Sequence, residues 1–125
     1  MPRDPALAGP GDRERLGHML DAARDAVAFI ESRRREDLDT DAMLRRALVN
    51  ALQVIGEAAA RVPDEVCRNH PGIPWHEVRG MRNFVIHEYF GVDLGAVWDT
   101  ATKDLPALKM QIREIAGRSL YDSEK

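Results

Sequence analysis

The chain has 125 residues, of which 44% are hydrophobic, and its formal net charge at pH 7 is −3. This length and composition fit one globular domain, and the negative charge argues against a surface built for general nucleic-acid binding. No apolar run approaches the roughly 20 residues of a membrane span, and the first residues lack a signal-peptide core. The single cysteine, Cys67, excludes an internal disulfide and fits a reducing environment. We therefore expect a cytoplasmic protein.

The first third of the chain predicts a flexible segment followed by a long helix. Residues 1–11 contain three prolines and two glycines, which oppose regular structure. Asp12 is the predicted N-cap of a helix that runs to about Arg34. The three arginines at its end, Arg33–Arg35, suit the negative end of a helix dipole and also offer a local contact to nucleic acid. The apolar residues of this helix recur at steps of three and four, as on one buried face: Leu16, Met19, Leu20, Ala23, Val27 and Ile30.

The middle of the chain predicts a second long helix and a short third one. A turn is expected at 36–39, with Thr40 as the N-cap of the second helix. The small residues at 55–60 in this helix allow another helix to approach closely. Pro63 favours the start of a short third helix over 64–69. The segment 70–74 is a predicted loop because it contains two prolines and a glycine.

Two further helices complete the predicted fold. The fourth runs from Pro74 to Gly91, and Asp93 caps the fifth, which Pro106 should kink near Asp104. Because no segment alternates with period two, the sequence predicts an all-α, up-and-down bundle of four main helices plus a short one. The predicted helical domain covers 12–117, and 118–125 form a C-terminal tail.

One polar stretch, 79–91, concentrates the candidate functional residues: Arg79, Arg82, Asn83, His87 and Tyr89. The chain has no glycine-rich phosphate loop, and its four histidines show no metal-ligand spacing. No metal or cofactor is therefore expected, and any chemistry must come from the side chains of this stretch.

The spacing of Arg82 and His87 limits how they can act together. On a regular helix, residues five apart diverge by roughly 140°, whereas Arg82 and Tyr89 share a face. Either the helix unwinds near His87, or two protomers meet so that their arginines and histidines converge. Metal-free RNA cleavage needs a general acid and base, which histidine supplies near neutral pH, and a cation for the phosphate, which arginine supplies. A two-fold dimer offers two of each.

Taken one by one, the same residues are explained more simply by structural roles. Arg82 would then form an ion pair with Glu57 or Asp93, His87 would be a hydrogen-bonded structural histidine, and Tyr89 would pack with its hydroxyl at the surface. From these residues alone, the sequence indicates a helical bundle with a polar cluster of undecided role.

The segment 82–89 matches the R-x4-H-x-Y motif and resembles the HepT-like toxins of the HEPN superfamily. The resemblance extends along most of residues 12–116 and includes segments around the motif: 50–59, 73–81, 89–93, 97–98 and 104–106.

This resemblance implies a homodimer that acts as a metal-independent ribonuclease toxin. In the family, the motif arginine and histidine, here Arg82 and His87, form a composite site across the dimer, with Asn83 and Arg79 as supporting residues. It also implies neutralisation by a minimal nucleotidyltransferase antitoxin, in part of the family by adding AMP to the motif tyrosine, here Tyr89. Two other functions stay open: a nucleotide- or partner-binding subunit of a nucleotidyltransferase complex, and a structural dimer.

Overall fold

The computed structural model describes the backbone of residues 10–84 and 93–122, and the side chains of 11–84 and 93–115. No strand occurs among these residues, so the predicted all-α fold is confirmed. The helical elements in chain order are α1 (Pro10–Ile30), α2 (Asp37–Thr40), α3 (Ala42–Ala60), α4 (Asp64–Asn69), α5 (Trp75–Gly80), a 3₁₀ turn (Met81–Asn83), α6 (Leu94–Asp99), a π-helical segment (Thr100–Asp104) and α7 (Leu105–Asp122).

The bundle is organised around α1 and α3, which pack against each other along their apolar faces. Helix α7 packs on α1, whereas α5 and the 3₁₀ turn pack on α3. Among the large core side chains that are entirely removed from solvent, those of α1, α3 and α7 follow the repeat of apolar residues at steps of three and four in these helices: Leu16, Met19, Leu48, Leu52, Ile55, Leu105 and Ile112. The short helices α2, α4 and α6 contribute Leu38, Val66 and Val97. Helix α3 therefore joins α1 to the 3₁₀ turn that carries Arg82.

Helix α1 begins and ends earlier than the sequence suggests. It starts at Pro10, so Asp12 is not an N-cap but lies in the first turn, where its buried carboxylate accepts a 2.9 Å hydrogen bond from Arg15. The helix ends at Ile30 rather than near Arg34, because Ser32 adopts a left-handed conformation with φ of 62°. Arg33–Arg35 consequently lie in the connection that follows the helix.

The connection to α3 differs from the predicted turn in two respects. It contains the short helix α2, and the N-cap of α3 is Asp41 rather than Thr40. The Asp41 carboxylate accepts a 3.0 Å hydrogen bond from the backbone N–H of Leu44. This bond, assisted by the Arg33 guanidinium, lowers the pKa of Asp41 below its usual value of 3.8.

The short helix at 64–69 and the loop at 70–74 are confirmed. Trp75 then begins α5 and is buried, with its indole N–H donating a 3.0 Å hydrogen bond to the carbonyl of His70. This bond satisfies the polar end of a large apolar side chain, so it anchors the start of α5 beside the core.

The predicted continuous fourth helix, from Pro74 to Gly91, is wrong. Helix α5 ends at Gly80, the 3₁₀ turn follows, and Phe84 is extended with φ of −68° and ψ of 119°. In an α-helix the Phe84 carbonyl would accept a bond from four residues later, but here it accepts one from the side chain of Gln53 on α3. A tertiary contact therefore replaces the helical bond, and the predicted end at Gly91 lies outside the described residues.

The predicted fifth helix is present, with Asp93 as its N-cap and an irregular stretch before Pro106. The irregularity is the π-helical segment, which precedes the residue that lacks a backbone N–H. Helix α7 continues to Asp122, past the predicted start of the tail at 118. Within the described parts of the chain, no helix is long and apolar enough to cross a membrane.

Candidate functional site

The 3₁₀ turn presents two of the candidate residues at the surface. Arg82 and Asn83 are exposed, whereas the preceding Met81 is 4% exposed and packs in the core. Phe84 is half-buried against the core, and its own backbone is extended. The apolar residues on either side thus fix the turn, and the polar residues between them face solvent. Of the other three candidates, His87 and Tyr89 lie outside the described residues.

Gly56 is the point of closest approach between α3 and the turn. A Cβ atom at this position would collide with the backbone nitrogen of Arg82 and lie 2.8 Å from its Cβ. Real Cβ atoms do not approach other atoms so closely, so only glycine permits this contact. The backbone of Arg82 therefore rests directly on the backbone of α3.

Gln53, one turn earlier on α3, supplies the hydrogen bond to this segment. Its side-chain nitrogen Nε2 donates to the Phe84 carbonyl oxygen over 2.5 Å. The bond joins residues 31 positions apart. Together, Gly56 and Gln53 hold the backbone on both sides of Asn83, and we name these contacts the α3 dock.

Arg79 is held differently from Arg82. Its side chain is half-buried and Nη2 donates to the Cys67 sulfur of α4 over 3.1 Å. Burial raises the pKa of the Cys67 thiol above its usual value of 9.0, and the nearby Arg79 opposes that shift. Arg79 therefore joins α5 to α4, and Cys67 is a protonated thiol at neutral pH.

The structural role suggested for Arg82 does not appear in the described residues. Among them, ion pairs form between other partners, and neither Glu57 nor Asp93 reaches Arg82. The Asp93 carboxylate instead caps α6 by accepting a 3.0 Å hydrogen bond from the backbone N–H of Ala96. The exposed guanidinium of Arg82 can therefore offer its paired N–H groups to a phosphate.

A cleft of about 690 Å³ lies next to the turn, between α5 and the π-helical segment. Met81 and Phe84 line one wall, and Lys103 and Gln111 line the other. The described residues contain no cluster of histidine, cysteine, aspartate or glutamate that could hold a metal ion.

Comparison of the sequence with known proteins shows the family of this chain. A protein-family model described as "Ribonuclease HepT-like" matches residues 19–115 of the sequence, which include α3, the turn and most of α7. The chain belongs to the HepT-like ribonuclease family. This confirms the resemblance carried by the R-x4-H-x-Y motif, and the α3 dock is how this HepT-like chain holds the arginine of that motif.

Several curated proteins resemble this HepT-like chain over most of its length. It is 39% identical over 103 residues to a protein of Caldanaerobacter subterraneus named "Putative RNase", which covers 82% of this chain and 92% of that protein. It is 38% identical over 100 residues to "Probable ribonuclease HepT" of Thermococcus cleftensis, covering 77% of this chain and 91% of that protein. A "Putative RNase" of Methanocaldococcus jannaschii is 35% identical over 100 residues, with 80% and 83% covered. No solved structure matches the chain.

Two residues of this site, Gln53 and Gly56, were not among the sequence candidates. Gly56 carried a signal, because a glycine in the middle of a long helix costs about 1 kcal/mol relative to alanine and suggests a close packing contact. Gln53 carried none, since a polar residue on a helix face is most simply explained by solvent exposure. Its role becomes visible only when Phe84 is placed opposite it.

Proposed function

We propose that this HepT-like protein is a metal-independent endoribonuclease toxin, with Arg82 and His87 as its catalytic pair. The observation that carries the proposal is the arginine of the family motif, exposed at the surface and without an ion pair in the described residues, on a backbone fixed by α3. An arginine held in this way can bind a phosphate without first giving up an ion pair to any residue that the structure describes.

The proposed reaction is attack by the RNA 2′-oxygen on the adjacent phosphorus. A histidine takes the 2′-OH proton as the new P–O bond forms, and the bond from phosphorus to the 5′-oxygen breaks. A second, protonated histidine gives its proton to that leaving oxygen. The Arg82 guanidinium stabilises the negative charge that builds on the phosphate oxygens during both steps. Asn83, exposed beside Arg82, is a proposed hydrogen-bond partner for the RNA.

The first experiment measures cleavage of RNA by the purified protein in EDTA. We expect wild-type protein to cleave, and His87→Ala to abolish cleavage with its circular dichroism spectrum unchanged. His76→Ala is a matched control, because His76 is an exposed histidine on α5. Full activity in folded His87→Ala protein would refute the site assignment.

We propose that the active form is a homodimer with composite sites, because each chain offers one motif histidine and the reaction uses two proton-transfer groups. The 140° divergence on a regular helix no longer supports this proposal, since Phe84 is extended. The family resemblance and the reaction's chemistry support it instead.

Mixing wild-type and inactive chains tests the composite site directly. If each site needs His87 from both chains, a heterodimer of wild-type and His87→Ala chains contains no intact site. After exchange in an equimolar mixture, only wild-type homodimers should cleave RNA, so statistical pairing predicts about a quarter of the rate of wild type at the same total protein. A rate of about half, with exchange verified by mass, would show that each chain cleaves with its own groups.

We further propose that a minimal nucleotidyltransferase antitoxin neutralises the toxin in the cytoplasm by adding AMP to Tyr89. An AMP group adds bulk and negative charge, which would repel the RNA phosphates from Arg82. Co-expression with such a partner should raise the intact mass in steps of one AMP unit, and Tyr89→Phe should prevent this. An unmodified mass together with neutralised toxicity would indicate inhibition by binding.

A binding function without turnover is the second candidate, and the cleft beside Met81 and Phe84 favours it. Its volume of about 690 Å³ falls in the range of small-molecule sites and suits a nucleotide. Lys103→Ala, on the cleft wall, would then weaken nucleotide binding while the wild-type protein leaves RNA intact. RNA cleavage that depends on His87 would exclude this alternative as the main function.

A further inference from the structure

We infer that Gln53 is a positioning residue of the ribonuclease site, which sets the direction in which the backbone runs from Arg82 toward His87. The inference rests on the proposed function and assigns a role to a residue outside the family motif. Gln53 does not reach a reacting group in this inference. It acts through the Phe84 carbonyl, which lies between the two motif residues along the chain.

The geometry of the contact supports a directional role. Gln53 is half-buried near the middle of α3, a helix of 19 residues whose apolar face is locked in the core. Its amide nitrogen donates to the Phe84 oxygen over 2.5 Å. A donor on a rigid helix fixes the position of its acceptor more tightly than a donor on a loop does.

Fixing this one oxygen orients a whole peptide unit. The Phe84 carbonyl and the nitrogen of residue 85 belong to the same planar peptide group. When Gln53 holds the oxygen, that plane can no longer rotate freely, and the starting direction of the chain toward His87 is defined. The distance between a guanidinium and an imidazole depends on this direction, and misplacement by about 1 Å can cost on the order of 100-fold in rate.

Gly56 and Gln53 have separable roles in the α3 dock. Gly56 permits the backbone of Arg82 to reach α3, so a larger residue there would displace the turn itself. Gln53 acts two residues further along the segment and makes one hydrogen bond. Removing that bond should leave the turn packed on α3 and should loosen the chain beyond it.

The first test compares Gln53→Met with wild type in RNA cleavage. Methionine keeps the length of the side chain and its helix preference but cannot donate. We expect kcat to fall about tenfold with KM within twofold, because RNA still meets Arg82 while the catalytic groups are misaligned. Asn50→Leu is the matched control, since Asn50 is an exposed amide one turn earlier on α3.

A second variant gives a pH signature that a general loss of packing would not give. In Gln53→Glu, the ionised carboxylate repels the Phe84 oxygen, whereas the protonated carboxyl donates to it. Activity relative to wild type should therefore rise as pH falls from 8 to 5, while the ratio for Gln53→Met stays flat. Gln53 also lines a groove on α3 whose charged groups are Arg15, His18, Glu57 and Arg61. These groups and His87 are common to all variants, so the ratio to wild type removes the pH dependence that the variants share. Asn50→Asp is the control for the added charge.

Amide hydrogen exchange tests the hydrogen bond between Gln53 and Phe84 without requiring catalysis. Peptides that cover residues 80–90 should exchange at least about threefold faster in Gln53→Met than in wild type, while peptides of α1 remain unchanged. This measurement distinguishes failure of the proposed function from failure of the inference about Gln53. If wild-type protein does not cleave RNA but exchange accelerates as expected, the proposed function fails and the contact's positioning role stands. If wild type cleaves RNA and Gln53→Met matches it in both kcat and exchange, the inference is overturned.

Discussion

The connection after α1 and the 3₁₀ turn both carry arginines, but the first is held through arginine side chains and the second through its backbone. In the connection after α1, Arg33 pairs with Asp41 at 3.4 Å and Arg35 pairs with Asp39 at 3.7 Å. In the 3₁₀ turn, the backbone of Arg82 is held by α3 and its side chain is exposed. The first segment uses guanidinium groups in ion pairs, whereas the guanidinium of Arg82 forms no ion pair with the described residues. An arginine cluster is therefore better judged by what holds its backbone than by its charge.

The largest expected effect is a loss of RNA cleavage when the arginine of the turn, but not that of the connection, is replaced. Arg82→Ala should reduce RNA cleavage at least about 100-fold, as the loss of a charge-stabilising donor does in other enzymes. Its unfolding free energy should stay within about 0.5 kcal/mol of wild type, because the side chain is exposed. Arg33→Ala, the control, should retain full cleavage. Strong destabilisation by Arg82→Ala, measured in urea, would instead assign Arg82 a structural role.

The backbone contact at Gly56 can be broken directly. Gly56→Ala should lower the unfolding free energy by about 2 kcal/mol, because overpacking a tight contact typically costs 1–3 kcal/mol. Gly17→Ala is the matched control: it lies within α1, and nothing stands within 4 Å of a Cβ placed there. That control should gain about 0.5–1 kcal/mol from helix propensity. Equal responses of the two variants in urea denaturation would contradict the close approach.

Two adjacent arginines on α3 allow a bonded and an exposed guanidinium to be compared within one helix. Arg45 donates to the Leu38 carbonyl over 2.8 Å and is half-buried, whereas Arg46 is exposed. Arg45→Met should therefore destabilise the fold by about 1 kcal/mol, the typical net value of such a hydrogen bond, and Arg46→Met by less than about 0.5 kcal/mol. Thermal unfolding of the two variants measures the difference. A larger loss for Arg46→Met would show that the connection is not held through Arg45.

The smallest effect depends on pH. The folded-state pKa of Asp41 lies below its usual value of 3.8, so its charge stabilises the fold above that value. This contribution is lost as pH falls through the lowered pKa. Asp41→Asn keeps a capping oxygen but has no charge to lose, so the stability gap between it and wild type should shrink below about pH 4. A gap that is constant from pH 6 to pH 3 would show that the charge contributes nothing.

The long helices could be predicted from the sequence because their apolar residues recur at helical spacing and are buried. The ends of these helices could not be predicted, because they depend on single residues. Ser32 adopts a left-handed conformation after α1, and Asp41 rather than Thr40 caps α3. The fourth helix failed for a different reason. Helix α5 ends at Gly80, and the Phe84 carbonyl accepts its hydrogen bond from Gln53, a side chain 31 residues earlier, a contact that no local pattern reveals.

The candidate site was only partly predictable for the same reason. The family resemblance singled out Arg82 and Asn83, which the fold places together at the surface. Their roles, like those of His87 and Tyr89, remain predictions. The expected ion pair of Arg82 with Glu57 or Asp93 rested on charge alone, and the described residues do not form it. The close approach at Gly56 was signalled by its residue type, whereas the support from Gln53 could not be predicted because it acts on a backbone atom of Phe84.

The two tryptophans give the protein a built-in optical reporter. Trp75 is buried at the start of α5, whereas Trp98 is half-buried on α6, so the two indoles stand on either side of the polar stretch in the chain. An indole that moves from an apolar surrounding into water shifts its emission to longer wavelength. Release of α5 from the core would therefore change the intrinsic fluorescence, with Trp98→Phe isolating the signal of Trp75. Events at the turn can be followed in this way on unlabelled protein.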